Sequence, residues 1–166
     1  SVTRVRRALK RGERIAVYGD FDVDGVTATA LLTQTFEALG GCVRPYIPDR
    51  VDEGYGLNEE ALGALAQDGV SLVVTVDCGV RAFDEVAAAN ELGMDVVVTD
   101  HHAVGSRLPD AVAVVDPMRR TPRFAAASDN SFDGLVGVGV AYRLAQALLR
   151  THHQMPVTDR EVSLQE

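Results

Sequence analysis

A chain of 166 residues, of which 46% are hydrophobic, is long enough to bury one core and short for two domains. Its net charge of −8 argues against a broad basic surface, which is the usual footprint of a protein that grips nucleic acid through phosphates. No apolar run approaches the ~20 residues of a membrane-spanning helix, and the basic N-terminal stretch lacks a signal-peptide core, so we expect a soluble, cytoplasmic protein.

Short β-branched apolar runs alternate along the chain with Ala- and Leu-rich stretches. The runs are apolar at consecutive positions, as strands buried on both faces are, and cover residues 15–18, 42–47, 71–76, 94–99 and 111–115. Helices are predicted at 26–39, 59–67 and 81–92, and at 136–150 after a Gly-rich entry. A left-handed residue is expected to end the first at Gly40 and the third at Gly93. The alternation predicts an α/β doubly wound domain with a mainly parallel five-stranded sheet and helices on both faces. Residues 1–150 are the expected core, and 151–166 the start of a further helical segment.

Four of the five predicted strands run directly into polar residues at their carboxyl ends. In chain order these residues are Asp20, Asp22 and Asp24; Asp77; Asp100, His101 and His102; and Asp116. In an open parallel sheet, ligands bind beyond the carboxyl ends of the strands. The sequence therefore predicts one polar site along this edge.

The first loop carries aspartates at alternate positions. Asp20, Asp22 and Asp24 are expected to turn outward together while Phe21 and Val23 turn toward the core. Three like charges so close repel one another unless a cation holds them. A helix cap explains only one of them, since Asp24 could cap the helix near residue 26. A calcium-binding EF-hand loop needs a bidentate glutamate at its twelfth position, where this chain has leucine.

The later loops add an aspartate and a histidine pair. Asp77 alone would be an ordinary turn residue, and its interest is that it would lie beside the first loop if the two strands are neighbours. Imidazole with carboxylates suits manganese, zinc or iron, and magnesium where oxygen ligands dominate. Adjacent histidines in one loop seldom both bind metal, so His101 is assigned to metal and His102 to the substrate phosphate or leaving group. Asp100 is then a turn residue or orients them.

Several shared carboxylates are what two cations about 4 Å apart require. The predicted chemistry is metal-assisted hydrolysis of a phosphodiester, and the cations would offset part of the negative charge locally. No Gly-x-x-x-x-Gly-Lys-Ser/Thr loop is present, which disfavours nucleoside triphosphate hydrolysis of that type.

Other residues with metal-binding side chains are left outside this site. His152 and His153 lie next to Arg150 at the end of the last predicted helix, where positive charge suits the helix dipole. Cys42 and Cys78 lie in apolar stretches where free, buried thiols are ordinary, and no disulfide is expected.

Several segments resemble a known set of sequence motifs and follow one another in the same order and at compatible spacing. They are Tyr-Gly-Asp-Phe-Asp-Val-Asp-Gly at 18–25, Val-Asp-Cys-Gly at 76–79, Asp-His-His at 100–102, the stretches 47–50 and 53–57, and the Gly-rich helix at 137–148. Together they resemble the RecJ-type exonucleases of the DHH phosphoesterase superfamily over roughly residues 4–150.

The resemblance implies two Mn²⁺ or Mg²⁺ ions and the removal of nucleotides from a 5′ end of single-stranded DNA, in repair and recombination. It implies as metal ligands Asp22, Asp24, His101 and a bridging Asp77, with Asp20 close to them. It also implies that Arg50 and Tyr55 touch the DNA strand, which fits a guanidinium on phosphate and a ring stacked on a base. Single-stranded DNA is the expected partner, joined by a single-strand-binding protein or helicase through regions outside this sequence.

A fourth family motif, a further aspartate in an Ala-Leu-Gly-Thr-Val-Ala-Asp-like segment, has no match here. The capping box at 158–161 predicts a helix that begins just before the sequence ends. We therefore expect a fragment of the N-terminal DHH domain that binds metal more weakly in isolation.

Two other functions stay open. A DHH phosphoesterase acting on short oligonucleotides, cyclic dinucleotides or pyrophosphate is favoured by the negative charge, whereas the segment 50–57 favours a long strand. A non-catalytic nucleotide-binding module is favoured by the missing fourth motif and opposed by the intact aspartates.

Overall fold

The computed structural model describes residues 1–51, 54–119 and 134–153. The strands are β1 (Arg14–Tyr18), β2 (Cys42–Tyr46), β3 (Val70–Val76), β4 (Asp95–Thr99) and β5 (Ala113–Val115). The helices are α1 (Val2–Arg11), α2 (Val23–Ala38), α3 (Glu59–Gln67), α4 (Phe83–Glu91) and α5 (Gly137–His153). The five strands form one parallel sheet in the order β2-β1-β3-β4-β5, so the predicted α/β class is confirmed.

Helices cover both faces of the sheet. One core cluster joins the strands to α1, α2 and α5, and the other joins them to α3 and α4. The residues of β4 divide between them, with Val97 in the first and Val96 and Val98 in the second, as the two-residue repeat of a strand requires. None of the helices in the described ranges is long and apolar enough to cross a membrane.

The order of the strands places a switch point beside β1. From β1 the chain crosses through α2 to β2 on one side, then returns through α3 to β3 on the other side. The loops leaving β1 and β3 therefore diverge to opposite faces and open a crevice at the carboxyl edge, where ligands bind in doubly wound sheets.

The sequence pattern does not predict α1, because five of its ten residues are arginine or lysine. Val5 and Ala8 nevertheless lie in the core on one side of this helix. The buried Arg4 bonds to Glu13 at 2.6 Å and to Asp95 at the start of β4. The basic helix is thus fixed at the amino edge of the sheet, away from the crevice.

Strand β2 departs from the predicted burial on both faces. It is one of the two edge strands, and Cys42, Arg44 and Pro45 are exposed. The expectation that Cys42 is buried was wrong, whereas Cys78 is buried, and both thiols are free. Pro45 lacks a backbone donor and fits an edge strand for that reason.

Several helix ends differ from their predicted positions. Gly40 and Gly93 have φ of 78° and 80°, which confirms the left-handed residues expected after α2 and α4. Helix α2 begins at Val23, three residues before the predicted start. Helix α5 continues to His153, so 151–153 belong to it, and the capping box at 158–161 lies outside the described residues.

Candidate metal centre

The polar residues after β1, β3 and β4 lie together at the crevice. β3 pairs with β1 on one side and with β4 on the other, so the three loops are neighbours. The predicted proximity of Asp77 to the first loop is confirmed, because ligand oxygens of Asp20, Asp22 and Asp77 lie within 4.8 Å of one another.

The first loop is folded more tightly than its alternating pattern predicts. Asp20 turns inward and is 3% exposed, whereas Val23 is 81% exposed, so the prediction of outward carboxylates and inward apolar residues was wrong for these two. Gly25 permits this turn, because a Cβ there would lie 2.6 Å from the amide nitrogen of Asp20. The helix cap is also Asp22, not Asp24: its Oδ1 accepts from the amide of Gly25 at 2.9 Å.

Asp24 is held by the start of α5. Its two carboxylate oxygens accept from the amides of Gly137 and Val138 at 2.6 and 2.7 Å. These amides belong to the first turn, which has no partners within the helix and carries the positive end of its dipole. The same carboxylate lies 3.6 Å from Nε2 of His101. Helix α5 thereby fixes Asp24 next to the crevice.

Asp77 is buried and has an unusual backbone conformation. It is 2% exposed and has a φ of 62°. Among the described residues, it alone has a positive φ without being glycine. Aspartate tolerates this left-handed conformation better than most residues, and such backbone strain is concentrated at functional sites. Its Oδ1 lies 2.9 Å from Nε2 of His101, yet the geometry is not that of a hydrogen bond.

Two groups of ligand atoms share Asp77. One comprises Asp20, Asp22 and Asp77, and the other comprises Asp77, His101 and His102, each with its atoms within 4.8 Å of one another. Oδ1 of Asp20 and Oδ1 of Asp77 are both buried without a hydrogen-bond partner in the described structure. Buried carboxylate oxygens without a donor are costly unless a cation satisfies them. The arrangement therefore fits divalent cations, which either group would hold with Asp77 as one of the ligands.

Asp100 organises the histidine loop. Its Oδ1 accepts from the amide of His101 at 2.7 Å and from that of His102 at 3.2 Å, and lies 2.7 Å from Nδ1 of His102. Its Oδ2 accepts from the amide of Val80 at 2.9 Å. Burial lowers the pKa of His102, but the hydrogen bond and negative charge of Asp100 outweigh burial and raise the pKa overall. Asp100 thus orients His102 and favours its protonated form.

The metal-free protein is expected to lose thermal stability as pH rises from 5 to 8. Burial, followed by the charges of Asp24 and Asp22, raises the pKa of Asp77 from 3.8 to about 7. A carboxyl group that holds its proton more tightly in the folded state stabilises the fold fully below its unfolded pKa and loses that contribution as pH rises through the folded value. Asp116, whose pKa burial raises to about 6, acts in the same direction.

Thermal unfolding in chelator at pH 5 and pH 8 checks this expectation. Wild type should lose more of its unfolding temperature over this interval than Asp77→Asn, in which the titrating group is absent. Equal losses in the two proteins would show that Asp77 titrates at an ordinary pH.

The residues predicted to contact DNA lie beside the two groups of ligand atoms. Tyr55 is 58% exposed, and its hydroxyl donates to the backbone oxygen of Asp77 at 3.3 Å and lies 3.4 Å from Nδ1 of His102. The guanidinium of Arg50 lies 5.2 Å from the centre of the Phe21 ring, and this ring meets Tyr55 edge-on. The structure therefore brings Arg50, Tyr55 and His102 to the rim of one site.

A cavity of about 460 Å³ opens beside these rings. Leu57, Val80 and Ala82 form apolar parts of its wall, and Asp100 and His102 line it on the metal side. The loop that carries Tyr55 is anchored from below, because the buried hydroxyl of Tyr18 donates to the backbone oxygen of Gly56 at 3.1 Å. A pocket of this size accepts a ligand of the size of a nucleotide.

Sequence reasoning missed the part that α5 plays in this site. The glycines near its start predict only a helix entry, whereas a Cβ on Gly137 would lie 2.6 Å from Oδ1 of Asp77. A glycine at the first turn of a helix is a signal of close approach, but it does not identify what approaches. Asp116, also predicted at this edge, is buried and accepts from the amide of Met118, outside both ligand groups.

Comparison with known proteins agrees with this geometry. The family model described as "DHH family, N-terminal domain" matches residues 14–164. The single-stranded-DNA-specific exonuclease RecJ of Bacillus subtilis is 45% identical over 146 residues, which are 88% of this chain and 18% of that protein. RecJ of Escherichia coli is 42% identical over 142 residues, which are 85% of this chain and 24% of that protein. The chain thus spans about a fifth to a quarter of these relatives.

Solved structures show the same likeness. A crystal structure of exonuclease RecJ bound to manganese matches with a TM-score of 0.79 and 37% identity, covering 93% of this chain and 37% of that one. RecJ of Thermus thermophilus in complex with Mn²⁺ matches with a TM-score of 0.73 and 33% identity, covering 96% of this chain and 22% of that one.

Proposed function

Because this chain belongs to the DHH family, we propose that it forms the catalytic core of a metal-dependent exonuclease that removes nucleotides from a 5′ end of single-stranded DNA. The observation that carries the proposal is the sharing of Asp77 by two groups of ligand atoms at the switch point of the sheet. As finer parts of the same proposal, the protein acts in the cytoplasm, and a helicase or single-strand-binding protein supplies or protects the strand.

The donor set fits the ions found in the related RecJ structures, which are bound to Mn²⁺ or Mg²⁺. Carboxylate oxygens suit either ion, and an imidazole shifts the preference toward manganese. In this chain the proposed ligands are Asp20, Asp22, Asp24, Asp77 and His101. Divalent ions held there supply Lewis acidity toward the phosphodiester and make water a better nucleophile at neutral pH.

The chain's own side chains bind and orient the substrate. In this proposal His102, whose protonated form Asp100 favours, holds a phosphate oxygen or gives a proton to the departing oxygen. Arg50 offers a planar fork to a phosphate, and Tyr55 offers an exposed ring face to a base. The 460 Å³ cavity beside them has room for the nucleotide at the end of the strand.

A second candidate is a phosphoesterase that cleaves dinucleotides or other small molecules. The net charge of −8 and the one-nucleotide size of the cavity favour it, because a long strand gains affinity mainly from a basic surface. The exposed Arg50 favours the longer strand, since it does not line the cavity and a ligand confined there would leave it without a role.

Hydrolysis of end-labelled oligonucleotides separates the two candidates. With Mn²⁺, a single strand labelled at its 5′ end should release labelled mononucleotide at once, whereas a 3′ label should stay on a shortening strand. A blunt duplex of the same sequence should be degraded at least tenfold more slowly. Cleavage of a dinucleotide without degradation of the longer strand would replace the exonuclease by the second candidate.

A further inference from the structure

A second cavity, of about 590 Å³, lies outside the metal centre. It is formed by the loop that follows the histidine pair, including Ser106 and Arg107, and by the turn after β5, including Arg119. No acidic side chain in the described part of the chain lines it. The protein has a net charge of −8, so a concave surface with two guanidinium groups and a hydroxyl differs from the protein as a whole. Such a surface favours an anionic ligand.

Both arginines contact uncharged groups that position their guanidinium groups. The guanidinium of Arg107 stacks over the ring of Phe83, 4.0 Å from its centre. Nη1 of Arg119 donates to the backbone oxygen of Val114 at 3.3 Å. Among the residues that the structure describes, no carboxylate forms an ion pair with either group. The nearest acids along the chain are the exposed Asp110, three residues after Arg107, and the buried Asp116, three residues before Arg119, and neither lines the cavity.

The cavity lies on the same edge of the sheet as the metal centre. Its two segments follow the carboxyl ends of β4 and β5, which are adjacent strands about 4.8 Å apart. Val104, at the start of the first segment, is three residues from His101, so their Cα atoms are at most ~11 Å apart. A strand whose scissile phosphate lies at the metal centre reaches the cavity within a few nucleotides.

We propose that this cavity is a phosphate-binding subsite for the part of the single strand that extends away from the scissile bond. The inference rests on the proposed function and adds the path of the DNA, which passes the carboxyl ends of β4 and β5. Arg107 and Arg119 bind successive or neighbouring phosphodiester groups, and Ser106 offers a hydroxyl donor. A terminal dinucleotide is too short to reach this subsite, so only longer strands gain affinity from it.

The test compares Arg107→Gln/Arg119→Gln with a control of equal charge, Arg11→Gln/Arg150→Gln. Arg11 and Arg150 are exposed near the ends of α1 and α5, at the opposite edge of the sheet. Binding of fluorescein-labelled dT12 and of the dinucleotide pdTpdT is measured by anisotropy and by competition, with Ca²⁺ replacing Mn²⁺ so that binding is read without turnover. Manganese affinity is measured for each protein to show that the metal centre is intact.

The cavity variant should bind dT12 about tenfold more weakly and pdTpdT as tightly as wild type. Loss of two phosphate contacts on a single strand should also reduce the slope of log K against log salt by about 1.4. The control should change dT12 binding by less than twofold. If the cavity variant binds dT12 like the control, or loses pdTpdT equally, the subsite is disproved. If wild type binds neither ligand, the proposed function fails and the subsite with it.

Discussion

Replacement of Asp77 by asparagine is expected to weaken manganese binding at least ~100-fold and to abolish phosphodiester hydrolysis. Both ligand groups contain this carboxylate, so the loss should exceed the 10–100-fold effect typical of residues that only orient a ligand. Asparagine tolerates the φ of 62° and has nearly the same volume, so the fold should persist. Removal of the negative charge should even stabilise the metal-free protein at pH 8, because burial disfavours that charge.

Isothermal titration of Mn²⁺ into wild type, Asp77→Asn and Asp84→Asn measures this effect. Asp84 is an exposed carboxylate in the first turn of α4, outside both ligand groups, and its replacement makes the same change of charge. The control should keep wild-type affinity. Unchanged heats in Asp77→Asn would remove the shared ligand from the proposed centre.

Replacement of Gly137 by alanine is expected to reduce manganese affinity by about 10- to 100-fold without removing any ligand. The new Cβ would lie 2.6–2.7 Å from three atoms of the Asp77 side chain, so either this carboxylate or the start of α5 must move. A displaced helix start would also pull its amides from Asp24, which they hold at 2.6 and 2.7 Å. Ligand positions should therefore change even though every donor atom remains.

The matched control is Gly63→Ala in the middle of α3, where a Cβ meets nothing within 4 Å. Alanine in a helix interior is ordinarily worth up to about 1 kcal/mol relative to glycine, so Gly63→Ala should raise the unfolding temperature and leave manganese affinity unchanged. Gly137→Ala should lower both the metal affinity and the unfolding temperature. An increase in stability at position 137 with full metal binding would mean that α5 does not constrain Asp77.

The sheet and its order of secondary structure follow closely from the sequence pattern. Strands β1, β3 and β4 are apolar at most positions because both of their faces are covered, and such runs are the clearest strand signal. Strand β2 is an exception, because it lies at the edge of the sheet and three of its five residues are exposed. Helix α1 is not predicted, because half of its residues are charged and only a narrow apolar stripe, with Val5 and Ala8, packs into the core.

The centre could be predicted in outline because strand ends of a parallel sheet share one edge. This rule collects Asp20, Asp77 and His101 at one place from residues that are far apart in the chain. It does not give the direction of each side chain. The inward turn of Asp20 depends on contact between Gly25 and the backbone of residue 20, and the capture of Asp24 depends on where α5 docks. The first is a contact within one tight loop that the alternating pattern does not describe, and the second is a long-range packing result.

Diffraction from crystals of the protein grown with Mn²⁺, recorded at the manganese absorption edge, tests the shared centre most directly. The proposal predicts two anomalous peaks about 4 Å apart, one on each side of the Asp77 carboxylate, with His101 in contact with one of them. A lone peak that does not touch Asp77, or manganese bound only elsewhere on the molecule, would contradict it.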